Sequence, residues 1–79
     1  MKKEQVLERI SINPNVCFGK PCIRGRRIWV ALILDLLANG MSYSEVMKEY
    51  DLEEDDLLAC IAYGAEMSRD QYIPVAMET

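Results

Sequence analysis

The sequence predicts a single, mainly α-helical domain in which three helices follow a short N-terminal β element, and three observations point there. Apolar residues recur with helical spacing from residue 30 onward. Glycine and proline gather ahead of them, at Pro14, Gly19, Pro21 and Gly25. A chain of 79 residues, 51% hydrophobic and 28% charged, can bury one core but not two. The whole of 1–79 is therefore read as one domain, with an extended tail over 70–79.

At the start, Val6, Leu7 and Ile10 keep helical spacing while "RISI" alternates, so a short helical or irregular segment over 2–9 should lead into a strand near Ile10 to Asn13. The breakers in "NPNVCFGKPCIRGRRIW", residues 13–29, mark loops and turns. Within that stretch Cys22, Arg24, Arg27 and Trp29 alternate around Gly25, the pattern of a bent strand or small hairpin. From Val30 to Ala38 every residue but Asp35 is apolar, so this helix lacks a wide polar face and must be covered on more than one side. Asn39-Gly40 closes it, glycine suiting the left-handed cap.

Ser42 with Glu45 forms a capping box for a helix over 42–50, whose stripe is Tyr43, Val46, Met47 and Tyr50. The third helix should begin near Glu53 and run to about Met67, stapled by Leu52 and Leu57. Glu53, Glu54, Asp55 and Asp56 meet the positive end of its dipole. Its expected inward face is Leu57, Cys60, Ile61, Gly64 and Ala65, widened by Leu58 and Ala62, with Gly64 small enough for another backbone to approach. Pro74 keeps "QYIPVAMET" from continuing the helix.

The net charge of −4 hides a division at Gly40: seven cations face three acids up to that point, and two face ten after it. Such asymmetry suggests two surfaces with different partners, or protomers meeting head to tail. The sequence contains no histidine, which removes catalytic triads, Cys-His pairs and His-ligated metals. Cys17 and Cys22 have a spacing that zinc tolerates, but only Cys60 remains to join them, so no metal is expected. The four adjacent acids diverge around a helix start instead of facing one another, and "GKPCIRG" lacks the ending of a phosphate loop. No enzyme, cofactor or small-molecule substrate is expected. The longest apolar run, Ile28 to Leu34, is far short of the roughly 20 residues that span a bilayer. An odd cysteine count behind a start without an apolar signal segment suggests reduced thiols in the cytoplasm.

"RISINPNVCFGKPCIRGRRIWV" followed by "LANGMSYSEVMKEYDLEEDDLLACIAY" resembles the small prokaryotic domain of unknown function 433 over about residues 9–65. The resemblance rests on Asn13-Pro14, Gly19-Lys20-Pro21, Ile23-Arg24-Gly25, Arg27-Ile28, Gly40-Met41-Ser42, Glu45 and Tyr50 in that order and spacing. It implies a homeodomain-like, helix-turn-helix fold that self-associates, and a role as an antitoxin against a PIN-like ribonuclease. The sequence departs from the family pattern at Phe18, where glycine is usual, at Arg26, where threonine is common, at Glu53, and in lacking a proline after Tyr50.

A helix-turn-helix reading would send the helix from Glu53 into the major groove, but four acids in its first turn forfeit the counterion release that drives DNA binding. DNA contact is therefore expected at Lys20, Arg24, Arg26 and Arg27 instead, with Lys2, Lys3 and Arg9 adding to them and at least one of Arg24 and Arg27 held in an internal ion pair with Asp35 or a helix acid. A homodimer is expected through Trp29, Ile33, Leu34 and Leu37 of the apolar helix. Glu53, Glu54, Asp55, Tyr72 and Ile73 are expected to meet the toxin, and operator DNA is the second expected partner. The alternative is a homodimeric interaction module that binds no DNA.

Overall fold

The computed structural model describes residues 3–70, so Tyr72 and Ile73 lie outside the described residues. In chain order the elements are α1 (Lys3–Leu7), β1 (Ile10–Ser11), a 3-10 turn (Cys17–Gly19), β2 (Cys22–Ile23), β3 (Ile28–Trp29), α2 (Val30–Ala38), α3 (Tyr43–Tyr50) and α4 (Glu54–Asp70). The protein is thus mostly helical, with a small antiparallel sheet near the N-terminus. Among the described residues four helices stand where a three-helix bundle was expected, the additional one being α1, where the start over 2–9 takes the helical form of its two readings.

The sheet has the order β1-β2-β3, with Ile10 opposite Ile23, Ser11 opposite Cys22, Cys22 opposite Trp29 and Ile23 opposite Ile28. Successive strand residues face opposite ways, and both residues of central β2 are buried. Ile23 joins the core under the helices. Cys22 lies on the other face, where its Sγ is 3.6 Å from Ser11 Oγ. The expected hairpin is present and feeds directly into α2, the Val30 N–H donating to Pro21 O at 3.1 Å.

α2 occupies the expected residues, and Ile33, fully buried, centres its inner face with Val30. Its end is tied by Gly40 N–H to Leu37 O and Met41 N–H to Leu36 O, both 3.1 Å, with Gly40 at φ 98°. α3 opens on the capping box read from the sequence: Glu45 N–H donates to Ser42 Oγ at 3.1 Å and Ser42 N–H to Glu45 Oε1 at 2.9 Å. Val46 is the fully buried member of its stripe, and Tyr43 is exposed.

α4 turns inward a face that shares Leu57, Cys60 and Gly64 with the expected one but leaves Ile61 and Ala65 outside. Leu57, Ala59 and Cys60 are fully buried and Asp56 nearly so, while Ile61 and Ala65 are exposed. Leucines and alanines run almost all round this helix, so its phase is set by what holds its first turn. Gly64 does permit a close approach: a Cβ there would sit 3.2 Å from Leu34 Cδ1. No helix among the described residues is long and apolar enough to cross a membrane.

The capping box makes a prediction with a definite sign. The Ser42 backbone and then hydroxyl hydrogen bonds hold the Glu45 carboxyl below its ordinary value. Its stabilising effect is therefore complete above the ordinary glutamate range and fades as the pH falls through the lowered value in the fold. Ser42→Ala should cost about 1 kcal/mol in denaturant titration at neutral pH, and the gap from wild type should narrow in acid.

Candidate functional site: the basic hairpin and the helix it clamps

Three of the arginines counted toward a basic surface are used to hold the fold together. Arg9, between α1 and β1, places Nη1 3.0 Å from Asp56 Oδ1 and 3.2 Å from Glu53 Oε1, with Nη2 3.6 Å from Asp55 Oδ2. Asp56 is only 7% exposed. Its second oxygen accepts the Glu53 N–H at 2.9 Å, so one carboxylate caps α4 and binds Arg9 at once. The hydrogen bond to Asp56, then that to Glu53, raises the Arg9 guanidinium above its ordinary value. The acids expected to diverge into solvent are thus partly collected on one cation.

Arg24 holds an edge. Its N–H donates to Arg9 O at 2.7 Å, which turns the Arg9 carbonyl toward β2 and the neighbouring Glu8 and Ile10 carbonyls away from it. Arg24 Nε takes Glu8 O at 2.7 Å and Nη2 takes Ile10 O at 2.9 Å. The outward carbonyls of edge strand β1 are thereby closed to a further strand. Among the described residues neither Arg24 nor Arg27 forms the expected internal ion pair: Arg24 binds backbone oxygens, and Arg9 pairs with the helix acids.

Arg26 holds the end of α3. Asp51 closes that helix in the left-handed region at φ 54°, and the Leu52 N–H donates to Met47 O at 2.9 Å. The remaining carbonyls of Tyr50 and Asp51 accept from Arg26 Nη2 and Nη1 at 3.0 and 2.8 Å. A cation at a helix C-terminus also suits the dipole.

Of the expected DNA-contacting set, Lys20 and Arg27 remain exposed and make no hydrogen bond or ion pair among the described residues. They flank two aromatic rings. Phe18 is 89% exposed and Trp29 39%, their rings edge to face with centroids 6.5 Å apart. Leu32, 39% exposed, follows one helical turn beyond Trp29.

The expected dimer residues divide. Ile33 is a core residue at 0% exposure, which corrects its assignment to an interface, since a side chain sealed inside the monomer cannot touch a partner. Leu34 packs toward Gly64, Leu37 is half-buried, and Trp29 stays exposed. Leu32 was missed because the helix is apolar all round, so spacing could not separate its outer side.

A groove of about 780 Å³ opens beside β1, lined by Ile12, Val16, Arg27 and Tyr63 among others. Its described lining includes Arg24 and Arg27 and no carboxylate. Cys22 and Cys60 are buried and Cys17 half-buried. Burial, with the Asp56 charge adding, pushes the Cys60 thiol up to about 12, which leaves it unreactive. Among the described residues no group of three acids or cysteines could hold a metal ion.

The architecture defines a small helical domain whose N-terminal sheet region is fastened to α4 by the Arg9 guanidinium and to the end of α3 by that of Arg26. The chain belongs to the family described as protein of unknown function (DUF433), which matches residues 10–64. No curated protein and no solved structure matches it.

Two predictions separate the held charges from the free ones. Asp56→Ala should lower stability by about 2 kcal/mol, because it strands both the Glu53 N–H and a guanidinium, whereas Glu54→Ala should change it by about 0.5 kcal/mol or less. Arg24→Ala and Arg26→Ala should each lower the thermal midpoint measurably, while Lys20→Ala and Arg27→Ala leave it unchanged. Equal midpoints for all four variants would contradict the assignment of the first two to structure.

Proposed function

We propose that the protein is an antitoxin-type module that neutralises a PIN-like ribonuclease by direct protein contact and not chiefly by repressing an operator. The observation that carries this reading is the exposed aromatic pair of Phe18 and Trp29, in edge-to-face contact, with exposed Leu32 three residues further along the chain, beside a core that is already filled among the described residues. Large exposed apolar side chains grouped together mark interaction sites more often than solvent-facing surface does. DUF433 membership supports the role through the resemblance that carries the antitoxin expectation.

Operator binding is the weaker reading on magnitude. With Arg9, Arg24 and Arg26 engaged, the hairpin brings two uncommitted cations to a phosphate backbone, for a salt slope of about −2 per chain. In a helix-turn-helix arrangement α4 would enter the groove with Glu54, Asp55 and Asp56 in its first turn, where Arg9 offsets only part of the repulsion. A homodimer on the apolar helix would have to use Trp29 and Leu32, the same residues the partner reading employs.

The test is co-expression with the product of the neighbouring gene, which this reading expects to be a PIN-like ribonuclease. A stoichiometric complex that suppresses RNA cleavage is expected. Separate elution with undiminished cleavage would refute the reading, and retardation of promoter DNA at moderate salt by the free protein would favour the operator alternative.

A further inference from the structure

The hairpin also indicates what chemistry the partner presents. Cys17, Phe18 and Gly19 take φ values of 53, 56 and 77° in succession, a left-handed run that disfavours any residue with a Cβ. The turn is nevertheless fixed, by Gly19 N–H to Val16 O and Lys20 N–H to Cys17 O, each 3.0 Å. Trp29 is held in register by β3 opposite Cys22. Phe18 is therefore a rigid knob pushed into solvent on unfavourable backbone, with only an edge-on ring contact to show for it. Strain of this kind persists where function uses it, and rigidity lowers the entropy cost of binding.

Along the chain, the charges next to the two rings are both positive. Lys20 follows Phe18 by two residues and Arg27 precedes Trp29 by two, both uncommitted. Burial raises the Cys17 thiol, the Cys22 thiol adds to this, and the Trp29 indole and the Arg27 charge pull it back. Arg27 thus lies near the turn that carries Phe18. The nearest acid along α2, Asp35, stands a further turn beyond Leu32 and forms the far rim.

A symmetric contact centred on Phe18 would bring the Lys20 and Arg27 of two copies to the same seam, where like charges repel. Nucleic acid docking on this turn would meet two free cations, on a chain of net charge −4. We propose that Phe18, backed by Trp29 and Leu32 and rimmed by Lys20 and Arg27, is the anchor that enters an apolar pocket bordered by carboxylates on a protein partner. This rests on the protein-contact reading above and reverses the polarity expected from the sequence, in which Glu53, Glu54 and Asp55 were to meet the partner.

The experiment titrates the full chain with the product of the neighbouring gene by calorimetry at two salt concentrations. Phe18→Ala should weaken binding by about 30-fold or more, and Lys20→Glu combined with Arg27→Glu should weaken it and flatten its salt dependence. Phe18→Gly suits the left-handed backbone, so it should raise Tm by about 4 °C while losing the same affinity, which separates anchoring from folding. Wild-type binding with all variants within about two-fold of it would overturn this inference and leave the protein-contact reading standing. No binding by wild type would overturn both. Phe18-dependent dimerisation in sedimentation, or Phe18-dependent binding of a uridine oligonucleotide, would assign the surface to another occupant and overturn it as well.

Discussion

The contact between Arg9 and the first turn of α4 is the constraint on which the rest of the molecule depends. Asp56 faces inward, and a buried carboxylate is tolerated only when a cation and hydrogen bonds replace its water. Arg9 supplies the cation and the Glu53 N–H a second partner. That pairing fixes the rotation of α4 about its axis, which brings Leu57, Ala59 and Cys60 into the core and leaves Ile61 outside. It also joins the residue before β1 to the far end of the chain, so the sheet and the longest helix become one body.

The other two arginines extend the same logic. Strands of two residues hold few ladder hydrogen bonds, and a sheet this small is marginal without help from its surroundings. Arg24 and Arg26 provide that help by bonding main-chain oxygens at the β1 edge and the α3 terminus. The polarity that is so plain along the chain is consequently muted in space. Basic residues from the first half meet acids and carbonyl groups from the second, and the charge left for recognition is a small cationic rim around Phe18.

What the sequence made legible was local. The helix from Val30 to Ala38, the Ser42–Glu45 box and the turn at Gly25 each depend on residues within a few positions of one another, and each is present as read. The phase of α4 was not legible, because Leu57, Leu58, Ile61 and Ala62 allow several inward faces and the deciding partner, Arg9, lies 47 positions from Asp56. For the same reason Arg24 and Arg26 read as free cations: an arginine that binds carbonyl oxygens leaves no complementary acid in the sequence to betray it. Ile33 was placed at an interface because an all-apolar helix does not announce which side is core. Phe18 carried the one usable signal, a bulky residue where the family pattern has glycine, and it was taken as a matter of turn geometry, not of recognition.

The most direct measurement of the central claim is nitrogen-15 NMR of the arginine side chains, which reports guanidinium rotation and hydrogen exchange one residue at a time. Arg9, Arg24 and Arg26 should show hindered rotation and slowed exchange, while Arg27 averages freely in solvent. Equal, fast averaging for all four would mean that the hairpin's cations are uncommitted and that neither the clamp on α4 nor the protected β1 edge exists.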